Sequence, residues 1–287
     1  MAQDGAGVVV VGVDGSEKDD RAVDWAADEA AATAGRLHIL HSFSFLFEGL
    51  GVGPEIDVHD LGSDLIGGYR ERVRQRYPQL AVTTEVLLED PAVALVRASR
   101  GASTVVVGAR GLGRVSGRLL GSVSQKVAAH ARGVVVVVRD TAAAPEGPVV
   151  IGVDPGHTDP RVLEFGFTQA SRRETAVRLV HARPTRIRRL TDPRLQREIA
   201  GAAEQQAMAL AQLAEDWAIR FPDVPVDVEE IARHPVEALT AQSADACLLV
   251  VGSRARSRLP GLHLGSVARG VLVECPVVAV VRVTPPP

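Results

Sequence analysis

The sequence TVVVGARGLGRVSGRLLGSVS, residues 104–124, decides the fold. It opens with Thr104, Val105, Val106 and Val107, a β-branched run of the kind that forms a strand buried on both faces. Gly108 and Gly111 follow, with Ala109 and Arg110 between them, and Gly121-Ser122-Val123-Ser124 leads into a helix-like segment ending near Ala131. A buried strand, a glycine-rich turn and a helix start together form a cradle for an anion. Backbone N–H groups approach an anion closely where no Cβ intervenes. Ser122 and Ser124 are placed to cap the helix and offer hydroxyls to the same anion. The stretch alone also fits a loop that needs glycine only to turn.

The chain then repeats itself. Residues 246–270 read ACLLVVGSRARSRLPGLHLGSVARG, where an apolar strand leads into Gly252, and Gly265-Ser266-Val267 stands at the spacing of Gly121-Ser122-Val123 from Gly108. The pattern G-x2-G-x9-G-S is complete in the first copy; in the second, Ala255 takes the place of Gly111. Chance turn composition does not build one loop twice, so the cradle reading gains over the bare turn.

With 287 residues the chain is long enough for two domains with proper cores. A hydrophobic fraction of 46% with 23% charged residues is that of a globular protein, and a net charge of −3 gives no general attraction to nucleic acid or anionic membrane. The only lysines are Lys18 and Lys126 and neither follows a glycine, which excludes a GxxxxGK[ST] phosphate loop. No apolar run reaches the ~18–20 residues of a membrane span, and the acid-bearing start MAQDGAGVVVV does not resemble a signal peptide. Cys247 and Cys275 each lie in or beside an apolar strand run, where a buried free thiol is expected, and the expected compartment is a reducing cytoplasm.

From the start, residues 8–13 form an apolar strand ending at Asp14-Gly15-Ser16, with Ser16 expected as the N-cap of a helix over 17–34 and Asp19 in its third position. Strand 36–41, an irregular segment 43–62, helix 63–76, strand 81–88 and a short helix opened by Pro91 follow. The glycine-rich stretch supplies strand four and the last helix, and Val134–Val138 is the fifth strand. After a linker-like TAAAPEG at 141–147 the order recurs: strand 149–153, helix 159–172, strand 176–181, helix 192–220, strand 226–231, helix 236–243, strand 247–251, a helix to Glu274 and strand Val277–Val281. The offset is 140 residues from Asp14 to Asp154 and 144 from Gly108 to Gly252, so this is a domain duplication over residues 1–140 and 148–287, not a solenoid. Strands alternating with helices predict two α/β units, each a parallel sheet wrapped on both faces. The two fifth strands are expected to pair edge to edge, making a pseudo-dimer within one chain, with a further homodimer compatible.

In such a sheet ligands sit beyond the carboxyl ends of the strands, where the strand order reverses. Asp14, Gly108, His41 and Ser42 all fall on that edge, a set that suits a nucleotide with its base and ribose near strands one and two and its phosphates at the loop. Asp14 can contact the nucleoside or a cation, or simply cap a turn; its recurrence as Asp154 favours a role. Arg110 and Arg114 are candidates to neutralise phosphate charge. His41 and His181 read as strand-end packing, and Asp19-Asp20 and Glu229-Glu230 as solvated pairs. His38 and His41 have no cysteine or carboxylate cluster near them in sequence and make no metal site. No GxSxG, HExxH or CxxC is present, and nothing nominates a nucleophile or general base.

On these residues, the glycine pattern after a valine-rich strand and the Val13-Asp14-Gly15-Ser16 start, the chain resembles the universal stress protein family in its tandem, actinobacterial-like form, over essentially its whole length. The resemblance implies two tandem doubly wound domains (Rossmann-like, adenine nucleotide alpha hydrolase-like), each with five parallel strands. It implies ATP, with Mg2+, at Gly12, Val13, Asp14, Ser16, Ser42, Gly108, Arg110, Gly111, Gly121, Ser122, Val123 and Ser124. In the second half the matching positions are Asp154, Gly252, Gly265 and Ser266. That half departs at Pro155-Gly156, Ala255 and Ala268, so weaker nucleotide binding is expected there. The expected function is a cytoplasmic stress-response regulator whose bound nucleotide sets conformation or the choice of a protein partner, at most a slow ATPase. The rival is a nucleotide-independent scaffold that uses segment 43–62 as its contact surface.

Overall fold

The computed structural model describes residues 7–16, 19–43, 58–111, 119–140, 144, 146–183, 193–253 and 264–282. The chain divides into two compact units, Met1–Thr141 and Ala142–Pro287. Arg114, Ala255, most of segment 43–62, most of the 141–147 linker and the last five residues lie outside the described set.

The first unit runs β1 (Val8–Val13), α1 (Asp19–Ala32), β2 (Arg36–Ser42), α2 (Val58–Arg76), β3 (Ala81–Leu87), α3 (Pro91–Ala98), β4 (Thr104–Gly108), α4 (Ser122–His130) and β5 (Val134–Val138). Its strands stand in the order β3-β2-β1-β4-β5, every pairing parallel. The second unit repeats the plan with β6 (Val149–Gly152), α5 (Pro160–Arg172), β7 (Val177–Ala182), α6 (Pro193–Arg220), β8 (Val226–Ile231), α7 (Pro235–Gln242), β9 (Leu248–Gly252), α8 (Ser266–Glu274) and β10 (Val277–Val281). Its order is β8-β7-β6-β9-β10, again parallel throughout. Each unit is therefore a doubly wound α/β domain, and its strand order reverses beside its first strand.

The valine runs make this sheet because strands covered by helices on both faces need no polar alternation. Val9, Val11, Leu37, Ile39, Val105, Val106 and Val136 are fully buried. On α1 the buried Ala22, Val23, Ala26, Ala27 and Ala30 form one apolar stripe laid on the sheet. In the second unit Phe167 of α5 is fully buried against Trp217 at the end of α6 and Phe221 just beyond it, with ring centroids 5.3 Å away in each case.

Two expectations are corrected. Residues 58–62, read as irregular, are helical, because α2 begins at Val58. Three glycines, Gly62, Gly67 and Gly68, weaken helix propensity there and hid the start of the helix. At Gly62 the missing side chain has a use: a Cβ would stand 2.6 Å from Val86 Cγ1, so the glycine lets the helix lie close on β3. Asp19-Asp20 is not a solvated pair. Asp20 keeps its surface place, in an ion pair with Arg72 at 3.1 Å, but Asp19 is buried at 3% exposure.

Candidate functional site

β1 and β4 are neighbours that lead to connections on opposite sides of the sheet, so the chain parts at their carboxyl ends. A cavity of about 480 Å³ opens there. Gly12, Val13, Asp14, Ser42, Gly108, Arg110, Gly111, Gly121, Ser122, Val123 and Ser124 all line it, and Leu40, Pro91, Leu95, Val107, Leu119 and Leu120 supply an apolar wall. Ser16 and His41 do not line the cavity, and Arg114 lies outside the described residues.

The glycine turn is set by short backbone bonds. Ala109 N donates to Val138 O at 2.8 Å, and Gly121 N donates to Ala109 O at 2.8 Å, which draws the start of α4 over the end of β4. Gly111 must be glycine for a specific reason: a Cβ there would fall on Asp14 Oδ2. The Asp14 carboxylate thus faces bare backbone, and its Oδ1 accepts from Ser16 N at 3.1 Å.

The helix start differs from expectation in a way that favours anion binding. Gly121 is the N-cap of α4 and, among the described residues, no side chain caps it. Ser122 is the first helical residue and exposed, whereas Ser124 is 4% exposed and donates its hydroxyl to Gly108 O at 2.6 Å. So Ser124 braces the turn, and neither serine satisfies the first amides of the helix. Those amides and the positive end of the helix dipole are left for a ligand. By contrast α3 is closed by Asp90, which accepts from Ala92 N at 2.8 Å and Val93 N at 3.1 Å.

Asp19 is the cavity residue that sequence reasoning missed. It was expected in the third helical position behind a Ser16 cap, but the Ser16 hydroxyl is buried without a hydrogen-bond partner. The Asp19 carboxylate reaches back instead: its Oδ2 accepts from Asp14 N and Gly15 N at 2.8 Å each and from the Tyr69 hydroxyl at 3.1 Å. Burial, and then the charge of Asp14, push the Asp19 carboxyl up to about 6, against the opposing pull of those amides and Tyr69. Burial and the Asp19 charge also raise the Tyr69 phenol, which stays a donor. The i, i+5 spacing of Asp14 and Asp19 was the available signal, but only the turn geometry shows that it brings the two acids together.

His41 ends β2 with Nδ1 bonded to Val13 O at 2.7 Å and its ring edge-on to Phe43, and His181 makes the same Nδ1 contact with Val153 O at 3.1 Å. Both are packed strand-end groups, as expected. His38 bridges Thr83 and Glu85 across to β3. Cys247 and Cys275 are buried free thiols.

The second unit reproduces the frame and changes the chemistry. Gly252 ends β9 and Gly265, the uncapped N-cap before Ser266, donates to Ser253 O at 2.8 Å as Gly121 does to Ala109. Where Asp19 holds the first loop, Thr158 Oγ1 accepts from Asp154 N at 2.7 Å, and the Asp154 carboxylate stands 3.8 Å from His157 Nδ1. Ala268, in the place of Ser124, is buried at 2% exposure and leaves the brace unmade.

Two segments of the chain, residues 6–139 and 147–282, match the universal stress protein family. A universal stress protein of Mycobacterium tuberculosis is 32% identical over 290 residues, spanning 92% of this chain and 91% of the relative. A second from that species is 32% identical over 277 residues, with 92% of each chain covered. Among solved structures, a universal stress protein of Archaeoglobus fulgidus aligns over 96% of both chains with a TM-score of 0.63 at 20% identity, a likeness of fold alone.

Proposed function

The chain belongs to the universal stress protein family, and we propose that its first unit binds ATP, the nucleotide setting the conformation or partner choice of a stress-response regulator. One observation carries this reading: the residues of the sequence pattern converge, all but Ser16, on a single cavity at the strand-order reversal, beside an uncapped helix start. Its volume of about 480 Å³ is in the range of small-molecule sites. The base and ribose fit the wall made by Leu40, Ser42, Pro91 and Leu95 at the β2 and α3 side. The phosphates fit the Gly108–Gly111 turn and the first amides of α4, with Arg110 beside them.

Mg2+ would travel on the phosphates. Among the described residues no group of three or more His, Cys, Asp or Glu side chains is gathered to hold a metal. The chain's part is to bind and orient, and binding, with at most slow ATP hydrolysis, is the proposed role. The two buried free thiols accord with a reducing compartment, and we assign the regulator to the cytoplasm.

Titration of the full chain with fluorescent ATP tests the reading. Saturable binding is expected, with loss in Gly111→Glu, whose side chain would displace Asp14 and put a carboxylate in the cradle. Absence of saturable binding by the wild-type chain, or unchanged binding by a folded Gly111→Glu chain, would overturn it.

A further inference from the structure

We propose that Asp19 sets the charge the cavity accepts, taking up a proton from solvent as a polyphosphate enters, so that nucleotide affinity in the first unit is linked to pH. The inference rests on the nucleotide reading above. Its ground is the placement of two carboxylates against the two glycines of the cradle. A Cβ at Gly111 would clash with Asp14 Oδ2, and Asp19 Oδ1 lies 3.9 Å from where a Cβ of Gly108 would stand. All three donors that reach Asp19, two amides and the Tyr69 hydroxyl, converge on its Oδ2. Oδ1 is therefore the oxygen turned to the β4–α4 turn, in a residue 3% exposed that lines the cavity.

Among the described residues, the charges around it leave this acid the one placed to adjust. The β1–α1 loop presents Asp14, which is of like sign; α2 presents Tyr69, a neutral donor. The turn after β4 presents Arg110, the one cation among the described lining residues. Lys126 of α4 is engaged with Asp90 at the head of α3 at 3.4 Å, and Asp20, next to Asp19 on α1, is turned outward to Arg72. Added phosphate charge beside Asp19 disfavours its carboxylate further, and burial with the Asp14 charge has already raised its carboxyl to about 6. Protonated, Oδ1 donates to a phosphate oxygen while Oδ2 keeps its amides. One O–H bond forms at Asp19, the proton coming from solvent, and no other bond changes.

The test is calorimetric titration of the full chain with ATP, in paired buffers of different ionisation enthalpy, at pH 7.5 and 6.5, with Mg2+ and with chelator. Asp19→Asn preserves the acceptor for the amides and is compared throughout, with Asp19→Ser as a second variant. Circular dichroism confirms that each variant is folded. The wild-type chain should take up more protons per ATP than either variant, by up to one. Its affinity should tighten about five- to tenfold relative to Asp19→Asn from pH 7.5 to 6.5 and level off below about pH 6. Titration of ATP itself is common to all three proteins and cancels. Equal proton uptake in wild type and folded variants overturns the inference and leaves nucleotide binding intact. So does wild-type binding that requires Mg2+ and takes up no proton, which assigns the neutralising role to a cation. Failure of all three proteins to bind ATP at either pH sinks the nucleotide reading itself.

Discussion

At the scale of single residues the site is a set of backbone groups, some of them held in place by side chains that serve the turn and not the cavity. Ser124 shows this. Its hydroxyl is 2.6 Å from the Gly108 carbonyl, inside a residue 4% exposed, so its proton is committed to the turn. Ser124→Ala leaves that carbonyl without its donor and should lower the stability of the ligand-free chain by about 1–2 kcal/mol. A thermal melt without nucleotide would read this as a drop of a few degrees. A side chain serving only the ligand would leave that melt unmoved. The glycines, Asp14 and Arg110 were legible because their residue types announce their chemistry. Ser124 was legible in place but not in role, since only the backbone of the turn decides which acceptor a buried hydroxyl faces. Asp19 left only its spacing from Asp14 as a signal: a pair of adjacent acids at a helix start is the ordinary dipole-complementing pattern, and its exception here comes from Gly15 and Asp14 turning their amides inward.

At the scale of elements the helix starts divide into closed and open ones. α3 and α5 each begin with an aspartate N-cap followed by proline, while α4 and α8 begin with a bare glycine. The closed starts are structural and are read directly from Asp-Pro; of the open ones, α4 and α8 stand at the glycine pattern, while α7 opens at His234-Pro235 without a side-chain cap. At Asp90 burial works against ionisation, but the amides of Val93 and Ala92 with Lys126 outweigh it and hold the carboxyl below its ordinary value. Because the folded value is the lower one, the stabilisation is present above the ordinary carboxylate range and is lost as the pH falls through the folded value. Asp90→Ala should therefore cost about 1 kcal/mol at pH 7, and its melting curve should approach wild type's only in acid, as the pH falls through the lowered value of the folded carboxyl. A deficit that persists unchanged into acid would mean the loss is of packing and not of the cap. Most strand ends were read to within one residue from valine runs, and most helix ends to within two or three from capping residues. The start of α2 was not, because Gly62 serves contact with β3, a partner remote in sequence.

At the scale of the molecule, duplication was the most legible feature, since two copies of one pattern at a nearly constant offset leave little else to infer. What the copies do differently lies in three places. The first unit sets Asp14 against the bare Gly111 backbone, clamps its loop with Asp19 and braces its turn with Ser124. The second has Ala255 for that glycine, holds its loop with neutral Thr158 and brings Asp154 beside His157, while Ala268 supplies no hydroxyl. A Cβ at the middle glycine and the missing hydroxyl at Ala268 both work against the same ligand geometry, so the two cradles should not be equivalent. We expect calorimetry of the full chain to find one ATP bound per chain at low micromolar protein concentration, with a second event, where seen, weaker by about tenfold or more. The Gly111→Glu chain should then retain only the weak event. Two equal sites in wild type, or one full-strength site surviving in Gly111→Glu, would place tight binding in the second unit and show that the middle glycine is not what separates the copies.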